Sequence, residues 1–199
     1  MPRDDTANPA SPGDQASWRS LALIGMPGVG KSSVAAALSA HLGITHSDLD
    51  DLVEAEAGRR IPEIFAAEGE EGFRGRELAA LRSALSAARG KAMVLACGGG
   101  VTTRPATVTE LRGAGVACVW LTASLDVLAA RVGDEPGTRP LLDDADAESG
   151  LAELYARRRR SYLLASDLVV ATDSIAPRAV AGIVAERLTL PDEADEEIR

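Results

Sequence analysis

Eight consecutive residues near the start of the chain have the types and spacing of a phosphate-binding loop. The stretch from Gly25 to Ser32 reads Gly-Met-Pro-Gly-Val-Gly-Lys-Ser and fits the pattern G-x-x-x-x-G-K-[ST]. It follows an apolar run and opens a helical pattern, which is the context that such a loop requires. Its glycines let backbone N–H groups converge on phosphate oxygens, Lys31 would reach the β- and γ-phosphates, and Ser32 would place its hydroxyl on Mg²⁺. The pattern predicts a nucleoside triphosphate site.

Two motifs that the sequence lacks limit which class of nucleotide-binding protein it can belong to. The only lysines, Lys31 and Lys91, both follow glycine, so the Asn-Lys-x-Asp guanine reader of GTPases is excluded. A motor-type ATPase usually ends a later apolar strand in an acidic residue, whereas residues 93–97 lead into Gly98-Gly99-Gly100.

Two carboxylates follow the second candidate strand. In a parallel sheet, Asp48 and Asp50 would lie at the carboxyl end where ligands bind. One could hold Mg²⁺, and the other could accept a hydroxyl proton from a second substrate. The alternative is that this Asp-x-Asp pair simply caps the next helix.

Two arginines lie on the apolar stripes of predicted helices. Steps of three and four join Arg74 to three leucines, and the same steps join Arg158 to a leucine and two tyrosines. A buried arginine is costly unless it meets an anion, so each could form a structural ion pair. Together with the glycines at 98–100, planar guanidiniums also suit a small carboxylate ligand. The spacing leaves both interpretations open.

A further candidate, Arg139, lies in a glycine- and acid-rich stretch from about 133 to 146 that lacks periodicity. On a mobile lid, this arginine could close over the γ-phosphate and exclude water. The alternative is a solvated loop arginine.

The elements that must position these residues alternate between strands and helices. Strands are predicted at 21–25, 93–97, 116–121 and 168–171, with a weaker one at 44–47. Helices are predicted at 31–42, 48–57, 70–89, 106–112, 125–132, 147–164 and 176–188. This alternation indicates an α/β fold in which helices cover both faces of a parallel sheet. One domain over 18–190 is predicted, with a disordered tail at 1–17 and an acidic tail at 191–199.

Composition and charge disfavour several other classes of protein. The 199 residues carry a net charge of −9, which disfavours a general binder of nucleic acid or anionic membranes. Cys97 and Cys118 lie in apolar runs without metal-ligand spacing, so we expect them to be reduced and structural. No signal-peptide core and no apolar run of about 18 residues is present, and we expect a cytoplasmic monomer.

Taken in order, the motifs resemble the shikimate kinase family over about residues 21–188. Besides the phosphate loop and Asp48-x-Asp50, the resemblance rests on Gly58-Arg59 with Ile61, Ile64-Phe65, Gly69-Glu70, Phe73-Arg74 with Glu77, Gly98-Gly99-Gly100, Arg139-Pro140-Leu141-Leu142, and Arg158 four residues before Tyr162.

The resemblance implies a three-layer α/β/α nucleoside-monophosphate-kinase-like fold with a five-stranded parallel sheet and a mobile lid at about 133–146. It also implies transfer of the ATP γ-phosphoryl group to the 3-hydroxyl of shikimate. Asp50, Lys31 and Arg139 match the catalytic residues, and Ser32 and Asp48 match the Mg²⁺ side. The shikimate side is matched by Asp50, Arg74, Glu77, Gly98, Gly99, Gly100 and Arg158. The ATP side is matched by Gly28, Val29, Gly30, Lys31, Ser32, Ser33, Arg131, Arg139 and Pro177.

The resemblance is incomplete at the adenine side. Where the family often has a basic residue two positions before a proline, this chain has Ile175 before Pro177. Two other functions stay open. One is a small-molecule kinase of the same architecture that resembles gluconate kinase, and the other is a non-enzymatic ATP-binding subunit. A polyol acceptor would not explain two inward arginines, and a non-enzymatic subunit would not need an intact acceptor site.

Overall fold

Four largely aliphatic runs and one polar run form one parallel sheet in the computed structural model, which describes residues 20–88, 90–133 and 147–188. The strands are β1 (Ser20–Ile24), β2 (Thr45–Asp48), β3 (Met93–Ala96), β4 (Val116–Thr122) and β5 (Leu168–Ala171). Their order is β2-β3-β1-β4-β5, and every neighbouring pair is parallel. Every residue of β1 and β3 is buried, which explains why these runs lack the alternation of a half-exposed strand. The predicted five-stranded parallel sheet is confirmed.

Helices connect the strands and cover both faces of the sheet. They are α1 (Lys31–Leu42), α2 (Leu49–Ala57), α3 (Ile61–Ala88), α4 (Pro105–Gly113), α5 (Leu125–Gly133), α6 (Ala147–Ala165) and α7 (Pro177–Arg187), with a 3₁₀ turn at Val101–Thr103. The helices α1 and α7 pack together, whereas α4 and α6 contact β4. Right-handed crossovers in this strand order place α1 on one face and α4 and α6 on the other.

Aliphatic residues supply most of the core, as the low aromatic content predicts. Tyr162 is fully buried, and its ring lies 5.8 Å from that of Trp120. Cys97 and Cys118 are free and buried, and burial raises the pKa of the Cys118 thiol to about 12. This environment agrees with a structural role.

The helix α3 differs from the sequence prediction of 70–89. It begins nine residues earlier, at Ile61, and is interrupted at Gly69, where φ is 69° and ψ is −175°. Pro62 and Gly69 made the first segment resemble a loop, but proline is well tolerated in a first helical turn. The side chains of Glu54 and Glu63 accept hydrogen bonds from the backbone N–H groups of Ile61 and Arg60, respectively. These acidic side chains satisfy donors at the start of the helix.

The strand order brings the predicted motifs to one edge of the sheet. The phosphate loop follows β1, the triple glycine follows the adjacent β3, and Asp48 ends β2 beyond it. The carboxyl ends of parallel strands share an edge, so the three motifs share one crevice. The predicted lid and both predicted tails fall outside the described residues, apart from Gly133, which ends α5. None of the described helices combines the length and hydropathy needed to cross a membrane.

Candidate active site

The phosphate loop connects β1 to α1 without side-chain capping of the helix. Gly30 has φ 94° and ψ 24°, and it makes no side-chain cap hydrogen bond with the described residues. The first turn of α1 contains no acidic residue, so its positive end is not neutralised there. The Lys31 ammonium donates to the carbonyl oxygens of Gly25 at 3.1 Å and Met26 at 3.0 Å. The Lys31 ammonium and the N-terminus of α1 therefore face the same space, where they can bind phosphate oxygens.

A cavity of about 500 Å³ opens beside this loop. Its lining residues are Gly28, Val29, Gly30, Lys31, Ser32, Ser33, Val34, Arg131, Thr172, Ile175, Pro177 and Val180. The loop contributes polar lining with Lys31, Ser32 and Ser33, and the segment that leads into α7 contributes apolar lining with Ile175, Pro177 and Val180. This division suits a ligand with phosphates at one end and a flat base at the other.

Arg131 is held at the wall of this cavity by the turn that follows β5. Its guanidinium donates to the carbonyl oxygens of Thr172 at 2.9 Å and Asp173 at 3.2 Å. The buried Thr172 hydroxyl donates to Val29 O of the phosphate loop at 3.1 Å. Sequence reasoning missed Thr172. Its signal was a hydroxyl residue directly after the apolar run that forms β5, at the edge where ligands bind.

Ser32 and Asp48 meet across the crevice. The Ser32 hydroxyl donates to Asp48 Oδ2 at 2.6 Å, and Asp48 Oδ1 accepts the Asp50 backbone N–H at 3.0 Å. Asp48 is therefore the N-cap of α2, as the alternative interpretation expected, and it also faces the phosphate loop. Hydroxyl and carboxylate oxygens are the ligands that Mg²⁺ accepts. No group of three or more acidic, histidine or cysteine residues in the described ranges could hold a metal alone. Ser32 and Asp48 therefore fit a metal ion whose remaining ligands are phosphate and water oxygens.

The triple glycine gathers the two predicted carboxylates of the acceptor side. A Cβ at Gly98 would lie 2.8 Å from both Asp50 Oδ1 and Glu77 Oε1. Any side chain there would displace these carboxylates, so only glycine allows them to approach the backbone this closely.

The same turn gathers the two predicted arginines. A Cβ at Gly100 would lie 2.0 Å from Arg74 Nη2, and one at Gly99 would lie 3.2 Å from Arg158 Nη1. Gly99 also abuts the phosphate loop, because its Cβ would lie 3.5 Å from Gly25 O. The residues predicted to bind the acceptor are therefore brought together directly beside the loop.

Arg74 forms the structural ion pair that sequence reasoning left as an alternative. Its Nη1 donates to both carboxylate oxygens of Glu77 at 3.0 and 2.9 Å, and Nη2 contacts Glu70 at 3.4 Å. Burial raises the pKa of Glu77, and the Arg74 charge opposes this shift. Arg74 Nε is buried and makes no hydrogen bond with the described residues. The guanidinium thus keeps donor capacity beyond its ion pair.

Arg158 is buried, whereas its neighbours Arg157, Arg159 and Arg160 are exposed, which confirms the predicted stripe. One turn later, the Tyr162 hydroxyl donates to Gly99 O. Burial raises the pKa of Tyr162 to about 12, so this hydroxyl remains protonated and continues to donate near neutral pH. Tyr162 anchors the triple glycine to the helix that carries Arg158.

Replacing Gly100 by alanine should impair the acceptor side without unfolding the chain. Gly100 has φ −106°, which alanine tolerates, and the atoms that would clash belong to the guanidinium of Arg74. That guanidinium would move, so we expect a loss of about tenfold or more in acceptor kcat/KM with little change in ATP KM or Tm.

The matched control for that substitution is Gly113→Ala. A Cβ at Gly113, at the end of α4, meets no other atom within 4 Å. Wild-type acceptor kinetics in Gly100→Ala, measured in steady state with the acceptor varied, would contradict the close approach of Arg74.

Arg139 lies outside the described residues, so its predicted position over the phosphates stays a prediction. Pro177 and Ile175 both line the cavity beside the phosphate loop. An apolar side chain therefore occupies the place of the family's frequent basic residue.

Comparison with known proteins gives one consistent family. The sequence model for the family described as shikimate kinase matches residues 27–189. A shikimate kinase of Symbiobacterium thermophilum is 40% identical over 167 residues, which cover 83% of this chain and 92% of that protein. One from Gloeobacter violaceus is 41% identical over 158 residues, which cover 79% and 86% of the two chains.

Solved structures of shikimate kinases are also similar to this chain. A shikimate kinase from Acinetobacter baumannii in complex with shikimate superposes with a TM-score of 0.80 at 31% identity, and the match covers 87% of this chain and 95% of that one. A shikimate kinase from Aquifex aeolicus gives a TM-score of 0.71 at 27% identity, covering 85% and 96%.

Proposed function

The chain belongs to the shikimate kinase family and is an ATP-dependent kinase that phosphorylates shikimate, and from this premise we propose how its residues divide the reaction. The observation that carries the proposal is the contact between the triple glycine and the phosphate loop. Gly98–Gly100 pack against Asp50, Arg74, Glu77 and Arg158, and Gly99 also packs against Gly25 and Pro27 of the phosphate loop. An acceptor held by these side chains lies next to a triphosphate held by the loop.

The triphosphate side consists of the phosphate loop and the cavity beside it. The N–H groups at residues 28–33 and the Lys31 ammonium would bind the phosphates, and Arg131 would contact the nucleotide. Ile175 and Pro177 would offer an apolar surface to adenine. We retain Arg139 as the lid residue that covers the γ-phosphate.

Ser32 and Asp48 would hold Mg²⁺, Ser32 through its hydroxyl and Asp48 directly or through water. When bound, the ion would neutralise charge on the β- and γ-phosphates. The hydrogen bond between these side chains keeps both oxygens beside the phosphate loop before any ligand arrives.

Asp50, Arg74 and Arg158 would define the acceptor side. The buried guanidiniums would hold the carboxylate of shikimate, and Glu77 would keep the Arg74 guanidinium in place through its ion pair. Asp50 would bind the 3-hydroxyl and accept its proton.

The chain does little covalent work in such a transfer. Its contribution is to align the 3-hydroxyl oxygen with the γ-phosphorus and to offer fixed positive charge where negative charge spreads. Lys31 supplies that charge from the loop, and Arg139 would add to it from the lid. The low exposure of the acceptor arginines, 6% each, limits competing water near the carboxylate.

A coupled assay of ADP release tests the function and separates it from its rivals. With ATP and Mg²⁺, we expect release that depends on shikimate, with little release with gluconate or without an acceptor. Preferential release with gluconate would indicate the polyol kinase. Nucleotide binding without release for any acceptor would indicate the non-enzymatic subunit.

We further propose a cytoplasmic monomer that acts on small molecules without nucleic acid. The large apolar side chains that the described residues expose are few: Leu163, Leu164, Val169 and Ile175. Light scattering of the purified chain checks the monomer, and a stable dimer would contradict it.

A further inference from the structure

We infer that Glu68, which does not line the acceptor site, is a positioning residue that fixes the bend of α3 and thereby directs Arg74 at that site. The inference rests on the proposed role of Arg74 in binding shikimate. Glu68 is the last residue before the interruption of α3 at Gly69, and Arg74 lies in the first turns after it. The direction of Arg74 therefore depends on how the two segments of α3 are joined.

Glu68 joins three parts of the chain through one carboxylate. Arg76 Nε donates to Glu68 Oε2 at 2.7 Å, and Arg76 Nη2 donates to Glu68 Oε1 at 2.8 Å. Arg59, in the connection between α2 and α3, donates to the same carboxylate. Arg76 lies in the second segment of α3, so Glu68 ties the connection and both segments together.

The backbone at the bend leaves little room for another arrangement. Gly69 has a positive φ that other residues rarely adopt. A Cβ at Gly72 would lie 2.4 Å from Glu68 Cβ, so the second segment passes directly against the end of the first. Across the bend, the rings of Phe65 and Phe73 lie 4.6 Å apart.

Because Arg74 and Arg76 lie on the same helical segment, the contact that holds Arg76 also restrains the direction of Arg74. Residues two apart on a helix differ by about 200° in direction, so these arginines extend from nearly opposite sides. The Arg76 side chain faces Glu68 and is 37% exposed, whereas the Arg74 side chain faces Gly100 and is 7% exposed. Holding Arg76 at two donor atoms limits rotation of the second segment about its axis. The same restraint limits rotation of Arg74.

The bidentate geometry of the contact between Glu68 and Arg76 matters more for positioning Arg74 than the charge of the ion pair does. A single ion pair at this exposure contributes little to stability. A bidentate arginine–carboxylate contact, however, fixes geometry as well as distance, and Glu68 adds a second arginine. The lowered pKa of Glu68, caused first by the hydrogen bond with Arg76, agrees with an ionised carboxylate. The expected effect is therefore on acceptor binding, with a smaller effect on folding.

The test is Glu68→Gln in the full chain, with KM for shikimate, KM for ATP, kcat and Tm measured beside wild type. Glutamine keeps the shape but cannot form the charged bidentate contact. We expect KM for shikimate to rise about five- to tenfold, with KM for ATP within twofold. The matched control is Glu56→Gln, which removes an exposed carboxylate of α2 and should leave all four values unchanged.

The inference is overturned if Glu68→Gln keeps KM for shikimate within twofold of wild type, or raises both KM values equally. If this variant does not fold, Arg76→Gln is judged by the same two criteria. Arg74→Ala, measured in parallel, separates failure of the Glu68 inference from failure of the proposed acceptor site. Weakened acceptor binding in Arg74→Ala with normal binding in Glu68→Gln rejects only the role of Glu68. Normal binding in Arg74→Ala rejects the proposed acceptor site itself.

Discussion

Asp50→Asn should lower kcat by about 10²-fold or more, while the chain still binds ATP. The substituted asparagine would keep the shape of the side chain beside Gly98, but it could not accept the proton of the 3-hydroxyl. Asp50 does not line the cavity beside the phosphate loop that we propose for the nucleotide, so ATP affinity should persist. Single-turnover phosphoryl transfer and equilibrium ATP titration measure the two effects separately.

Asp51→Asn is the matched control, because Asp51 is the next residue of α2 and is exposed. We expect near wild-type turnover from this control. Undiminished turnover in Asp50→Asn would remove Asp50 from the chemistry. Equal loss of ATP affinity and turnover would instead indicate that the substitution disturbs the phosphate loop through Asp48.

Arg158→Ala should weaken binding of shikimate by about 2–5 kcal/mol and leave ATP affinity almost unchanged. Arg158 Nη1 approaches Gly99 at the proposed acceptor side. Arg158 does not line the cavity beside the phosphate loop. Truncation would remove a donor group of the carboxylate site. Calorimetric titration with each ligand measures the two affinities.

The control for this helix is Arg159→Ala, which deletes an exposed guanidinium one residue away. An equal loss of affinity for shikimate and for ATP in Arg158→Ala would contradict a contact that serves only the acceptor. Arg158 is the cleaner position for this test, because Arg74→Ala also leaves the buried Glu77 without its partner.

The sequence determined those features in which neighbouring residues carry the whole signal. The phosphate loop is contiguous, and its strand-to-helix context is visible in the adjacent residues. Helical spacing identified Arg74 and Arg158 as inward-facing, because position on a stripe depends only on the 3.6-residue period. Aliphatic runs identified four of the strands, since buried parallel strands need no alternation, whereas the polar β2 was only a weaker prediction.

Only the tertiary structure decided which of these residues meet and what else they contact. The ion pair of Arg74 with Glu77, the approach of both arginines to Gly98–Gly100, and the bond from Thr172 to the phosphate loop join parts of the site that local patterns treat separately. The first segment of α3 was missed because Pro62 and Gly69 suggest a loop when each is considered alone. Its start is stabilised by a carboxylate from α2, and its bend by arginines on either side. Pairings between side chains distant along the chain depend on packing, and packing has no local period to detect.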